Sequence, residues 1–246
     1  MVGRGSFKQL PPPRHVSRVT RVLLMDLLVE RSEFGHGGNQ EVVSPIAEGG
    51  PVEVLLLTPQ MQSEESGDLA QEMGVFPLSE EHIPNWDDEF PFWDECVLEI
   101  SGNEVVFRRV AMPLHGDDEL TSIWIESLSP DAVVCSGSRR NVTMWEDWMR
   151  GGASVLRCSS GMGVPTLGIC FGHQLLCKSL GATVDRADSM SSGVWDLELT
   201  DYGESDVLFS SSRSGEGGAP VALYSHQDHV ISVPEFCTLL GSSEHN

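Results

Sequence analysis

Val164-Pro165-Thr166-Leu167-Gly168-Ile169-Cys170-Phe171-Gly172-His173-Gln174-Leu175-Leu176-Cys177-Lys178-Ser179-Leu180-Gly181 is the stretch whose reading decides the fold. Val164–Ile169 is a short apolar run punctuated by a proline, the pattern of a strand buried on both faces. Gly168 and Gly172 bracket Cys170, two residues away on either side. From His173 the period changes to that of a helix, with Leu175, Leu176, Ser179 and Leu180 on one face and Gly181 as its stop. Strand, sharp turn and helix, with a thiol at the turn, make a nucleophile elbow in the pattern G-x-C-x-G.

The spacing has a chemical reason. A residue at such a turn holds a strained backbone conformation, and side chains at the flanking positions would clash, so both want to be glycine. The sulfur stands at a helix N-terminus, where free N–H groups and the positive dipole end favour thiolate. The same N–H groups can hold the oxyanion formed when the thiolate attacks a carbonyl. The alternative is a small buried cysteine at an ordinary strand–helix joint.

Working outward, 246 residues suffice for one α/β domain with a sizeable core. The 37 acidic residues against 15 basic ones leave a net charge of −22, which argues against nucleic acid and anionic membranes as partners. No apolar run reaches bilayer length; Val22–Val29 is short and carries Asp26. Six cysteines without C-x-x-C, and no His/Cys cluster of zinc-ligand spacing, predict no metal, no cofactor and a reducing, cytoplasmic location. Residues 1–18 read as a disordered leader and 19–246 as a single domain, with an acidic insertion over about 30–92.

Strands are expected at Val19–Val29, Val52–Leu57 and Asp131–Cys135, and a β-hairpin at Cys96–Ala111. Further strands are expected at Ala182–Asp185, Val194–Thr200 and Thr238–Ser242, and Val221–Tyr224 leads into the His-rich stretch Ser225–Val230. Glu30–Pro51 and Asp201–Pro220 read as loop, with one short helix within Glu64–Met73. Asp117–Leu128 reads as a helix burying Leu120, Ile123, Trp124 and Leu128. Val142–Arg157 reads as a helix with Met144, Trp145, Trp148 and Met149 inward. These elements predict an open, mostly parallel, flavodoxin-like sheet with helices on both faces and an added hairpin.

Gly168-Ile169-Cys170-Phe171-Gly172-His173-Gln174 resembles the nucleophile motif of class I glutamine amidotransferases, nearest to the stand-alone branch similar to the amidotransferase domain of GMP synthase. The resemblance implies Cys170 as nucleophile toward the side-chain amide of glutamine or a γ-glutamyl compound, through a γ-glutamyl thioester. It implies the Phe171 N–H as an oxyanion donor, Gly137 and Ser138 as the second oxyanion loop, and Gln174 as a glutamine contact. Arg139 and Arg140 follow and offer either a carboxylate contact or solvated charge. Tyr224–Val230 is similar to the family's S-H-x-D-x-V segment, which implies Ser225 and His226 in the substrate pocket. A structural histidine is the alternative for His226. Alternation along a strand lets His226 and Asp228 point together while His229 points away.

The resembled family completes its triad with H-P-E, which this sequence lacks; Val233-Pro234-Glu235 has only its last two residues. Leu239–Asn246 resembles the penultimate strand of the family pattern, so the chain reads as truncated before H-P-E. Two functions stay open: a glutamine-directed cysteine hydrolase, with a separate synthetase or acceptor protein for its ammonia, or a catalytically incomplete binding or regulatory module. A third, an α/β-hydrolase-type order of Cys170, Asp206 and His226, has no further motif behind it.

Overall fold

A computed structural model describes residues 18–27, 37–58, 92–113, 115–209 and 220–243. Most of the basic leader, the Glu64–Met73 helix and most of the acidic insertion lie outside the described residues. The centre is a six-stranded sheet in the order β3-β4-β2-β1-β5-β6. Its strands are β1 (Thr20–Met25), β2 (Val52–Thr58), β3 (Phe92–Ile100), β4 (Asn103–Ala111), β5 (Ala132–Cys135) and β6 (Thr166–Gly168). All neighbours pair in parallel except β3, which is antiparallel to β4.

Alternation along β1 supplies both faces of the core. Val22 and Leu24 join Val54, Leu56 and helix α1 (Gly37–Ala47) on one side. Leu23 and Met25 join Leu55, Leu57 and Val133 on the other, beneath helices α2 (Asp118–Leu128), α3 (Trp148–Gly161) and α4 (Phe171–Ser179). Each of these strand side chains is fully or almost fully buried, a contribution of about 1.5–3 kcal/mol apiece. This is the expected α/β architecture, a mostly parallel sheet with helices on both faces.

The caps follow local chemistry. Asp117 accepts from the N–H groups of Glu119 at 3.0 Å and Leu120 at 3.1 Å, and Ser129 ends α2 in the left-handed region. Asp118, one residue on, takes a two-pronged ion pair from Arg157 and a hydrogen bond from Ser154 Oγ at 2.6 Å, tying α2 to α3. Ser101 and Gly102, with φ of 52° and 75°, turn the β3–β4 hairpin. That hairpin is built into the edge of the main sheet.

Several expectations are corrected. Glu30–Pro51, read as loop, contains α1, which packs Val43 and Ala47 against the sheet. Its Gly/Ser/Pro composition hides the apolar face made by Val43 and Ala47, with Val42 and Ile46 alongside. In α2 the buried side chains are Thr121, Trp124, Ile125 and Leu128, while Leu120 and Ile123 face out. Helix α3 starts only at Trp148; Met144 and Trp145 lie in the preceding turns and are exposed. Strand β6 has β5 as its only neighbour among the described residues, so Leu167 is 54% and Ile169 37% exposed where burial on both faces was expected.

Past the elbow, β7 (Val184–Asp196) runs unbroken through the gap expected between two strands and pairs antiparallel with β9 (Val221–Val230). The short β8 (Glu198–Leu199) pairs with β10 (Gly241–Ser242). Asp201–Ser205, expected as loop, forms helix α5, capped by Thr200 Oγ1 accepting from Gly203 N–H at 3.2 Å. Among the described residues no helix is long and apolar enough to cross a membrane.

Candidate active site

Cys170 sits at the C-terminal end of β6 as the N-cap of α4, with φ 52° and ψ −111°. Of the three described non-glycine residues at positive φ it is the only one outside a hairpin turn or a helix C-cap, the strained geometry an elbow needs. Both glycines are required by space. A Cβ on Gly168 would stand 2.6 Å from the Gly172 carbonyl oxygen. A Cβ on Gly172 would land on the Cys135 carbonyl and 2.8 Å from that of Ser136. The helix start is thus pressed onto the ends of β5 and β6, and Phe171, 1% exposed, anchors it against Trp148 with ring centroids 5.9 Å apart.

The electrostatics depart from the expectation of a favoured thiolate. The residue is exposed at the chain surface, yet the protein packed around its sulfur pushes the thiol above its ordinary value; the Phe171 N–H offsets this only in part. Among the described residues no histidine or carboxylate hydrogen-bonds the Cys170 sulfur. His173, one turn on, lies with its ring nitrogens 3.7 and 3.8 Å from Cys177 Sγ. Burial, and His226 beside it, hold His173 below the usual histidine value.

The loop after β5 stands next to the elbow. A Cβ on Gly137 would lie 3.8 Å from Cys170 Cβ. Ser138 Oγ accepts from the Arg140 N–H at 3.1 Å. Ser136 stitches this loop to β1: its N–H donates to the Met25 carbonyl at 3.0 Å, and its Oγ accepts from the Leu27 N–H at 3.0 Å. Buried Asp26 accepts from Asn39 Nδ2 at 3.0 Å in the same corner. This is the crevice between β1 and β5, where the strand order reverses and open α/β sheets bind ligands.

Strand β9 brings the histidine segment to α4. Gln174, 5% exposed, donates from Nε2 to the Asp228 carbonyl at 2.6 Å. The same carbonyl accepts from His226 Nδ1 at 2.9 Å. A carbonyl only accepts, so Nδ1 carries the proton and Nε2 presents a lone pair. Burial lowers the His226 pKa, opposed by this hydrogen bond. Ser225 points to the other side of β9, on the exposed face with Val221 and Leu223. The fold therefore gathers Cys170, Phe171 and Gly137, and separately Gln174, His226 and Asp228, and leaves Ser225 apart. Asp206 caps the three-residue turn at Val207–Phe209, accepting from Leu208 N–H at 2.9 Å.

The family described as glutamine amidotransferase class-I matches residues 103–246 of the chain. The chain belongs to the class I glutamine amidotransferases. Within them it is similar to the GMP synthase [glutamine-hydrolyzing] of Staphylococcus epidermidis, at 30% identity over 57% of this chain and 26% of that protein. It is also 36% identical over 85 residues to the enzyme of the same name from Clostridium kluyveri, 33% of this chain and 15% of that one. The chain spans about a quarter of the length of the first of these relatives. Among solved structures it is similar to a glutamine amidotransferase from Thermotoga maritima, with 15% identity, a TM-score of 0.48, and coverage of 93% of this chain and 69% of that one.

The chain carries the G-x-C-x-G elbow, while in Val233-Pro234-Glu235 the Pro234-Glu235 pair opens a turn closed by the Cys237 N–H on the Pro234 carbonyl at 2.9 Å. Glu244 and His245 lie outside the described residues. Among the described residues no group of three or more His, Cys, Asp or Glu is arranged to hold a metal ion. Sequence reading missed Thr143, whose partner lies 85 residues away. It also missed Asn39, within the segment expected to be loop, and Ser136.

Proposed function

We propose that this chain hydrolyses the side-chain amide of glutamine, or of a γ-glutamyl compound, through Cys170. The Cys170 thiolate forms a bond to the amide carbon, and the C=O electron pair moves to oxygen. The N–H groups of Phe171 and of the Gly137–Ser138 turn are the donors for that oxyanion. The intermediate collapses by breaking the C–N bond; the nitrogen takes a proton and leaves as ammonia. Water then attacks the γ-glutamyl thioester, giving glutamate and returning the thiol.

The observation that carries this reading is the strained Cys170 cap between two glycines that admit no side chain, set against Gly137. Family membership supports glutamine as the substrate class. The proton acceptor for Cys170 comes from outside the described residues, and a separate synthetase or acceptor protein is the destination for the ammonia. Six free thiols support a reducing, cytoplasmic setting. Ammonia release from L-glutamine by this chain, lost in Cys170→Ala, tests the proposal; no release above the Cys170→Ala background counts against it.

A second reading has its own observation: among the described residues no histidine or carboxylate hydrogen-bonds the sulfur, and burial raises the thiol. On that reading the chain binds glutamine without turning it over. Saturable glutamine binding by calorimetry, with no ammonia formed, would select it.

A further inference from the structure

Asp228 is 1% exposed, and both of its carboxylate oxygens are engaged. Oδ2 accepts from the Thr143 backbone N–H and Oδ1 from the Thr143 hydroxyl, each at 2.7 Å. Arg186, its partner across the β7–β9 pair, brings Nη1 to 3.9 Å from Oδ1. A carboxylate buried this deeply is costly unless its donors are fixed, and removing a donor leaves a buried charge short of partners.

The position matters more than the count of bonds. Thr143 follows the Gly137–Ser138 loop through a short turn pinned at Ser138 Oγ and at fully buried Val142. The Asp228 main chain, through its carbonyl, holds Gln174 on the nucleophile helix and His226 on β9. One residue thus joins the loop beside Cys170, the helix that Cys170 caps, and the strand facing both.

We infer that Asp228 is a positioning residue for the Cys170 site: through Thr143 and Gln174 it fixes how far the Gly137 loop stands from the nucleophile helix, and so the fit of a glutamine-sized substrate. It touches no reacting atom. This rests on the glutamine-directed reading above.

The test compares two reagents on Cys170, an electrophilic glutamine analogue that must be bound to react and iodoacetamide, which need not be. Asp228→Asn removes the charge and one of the two acceptor oxygens that face the Thr143 N–H and hydroxyl; it is expected to slow labelling by the analogue about 10- to 100-fold and to leave the iodoacetamide rate unchanged. Thr143→Val, which loses the hydroxyl, is expected to show the same split to a smaller degree, and Thr143→Ser, which keeps both donors, to recover it. Equal rates for Asp228→Asn and the parent with both reagents overturn the inference. So does a parallel fall with both, which marks a residue that merely holds the fold. If Asp228→Asn does not fold, Thr143→Val carries the test, and no split there overturns it. A parent chain that iodoacetamide labels and the analogue does not refutes the glutamine reading itself, and this inference with it.

Discussion

Gly172 is packed onto Cys135: a Cβ on the glycine would land on the Cys135 carbonyl, the same carbonyl that accepts the Ile169 N–H at 2.9 Å. Neither side can yield. The carbonyl is fixed by the β5–β6 pairing, and the helix is fixed by Phe171 and Trp148. Gly172→Ala is therefore expected to lower stability by about 1–3 kcal/mol, the ordinary cost of overpacking a core. An unchanged urea midpoint would contradict the close approach.

Phe171 makes a complementary prediction on the apolar side. At 1% exposure against Trp148 it locks the first turn of α4. Phe171→Ala is expected to cost about 3–5 kcal/mol, read from chemical denaturation. A loss below 1 kcal/mol would mean that the pocket is not packed as described.

The thiol predicts a pH profile. Burial raises the Cys170 thiol above its ordinary value, with the Phe171 N–H pulling the other way. Because thiolate is the reactive form, iodoacetamide labelling of Cys170 is expected to be slow at pH 7 and still rising at pH 9. A plateau reached below pH 8 would show a stabilised thiolate, and with it a base or cation that the described residues do not supply.

The Asp118–Arg157 pair predicts an acid dependence. Arg157 holds the Asp118 carboxyl at about 2, below its ordinary 3.8. A lowered pKa means that its stabilising effect is complete above the unfolded value and lost as pH falls through about 4 to 2. The Asp118 side chain is 48% exposed, so solvent screening keeps the effect modest. Asp118→Asn is expected to lower the thermal midpoint at pH 6 and to match the parent near pH 2; a constant difference across that range would contradict the assignment.

The elbow was legible because its causes are local: two glycines at fixed spacing and a switch of hydrophobic period within eighteen residues of chain. The strand at the sheet centre and the helix beginning beside Asp117 were legible for the same reason. What was hidden depends on distant neighbours. That β6 stands at an edge, with Leu167 exposed, follows from which strands lie beside it, and no run of its own residues records that. Helix α1 was hidden by its Gly, Ser and Pro residues, because it is the packing of Val43 and Ala47 on the sheet that holds it. The grip of Asp228 on Thr143 spans 85 positions, and only the inward alternation with His226 hinted at it.

The central claim is that Cys170 attacks a bound glutamine side chain. Its most direct measurement is the intact mass of the chain after incubation with an electrophilic glutamine analogue, with and without free L-glutamine, in the parent and in Cys170→Ala. The account predicts one adduct, mapped to Cys170, slowed by L-glutamine and absent from Cys170→Ala. No adduct, or an adduct that persists in Cys170→Ala or ignores free glutamine, would contradict it.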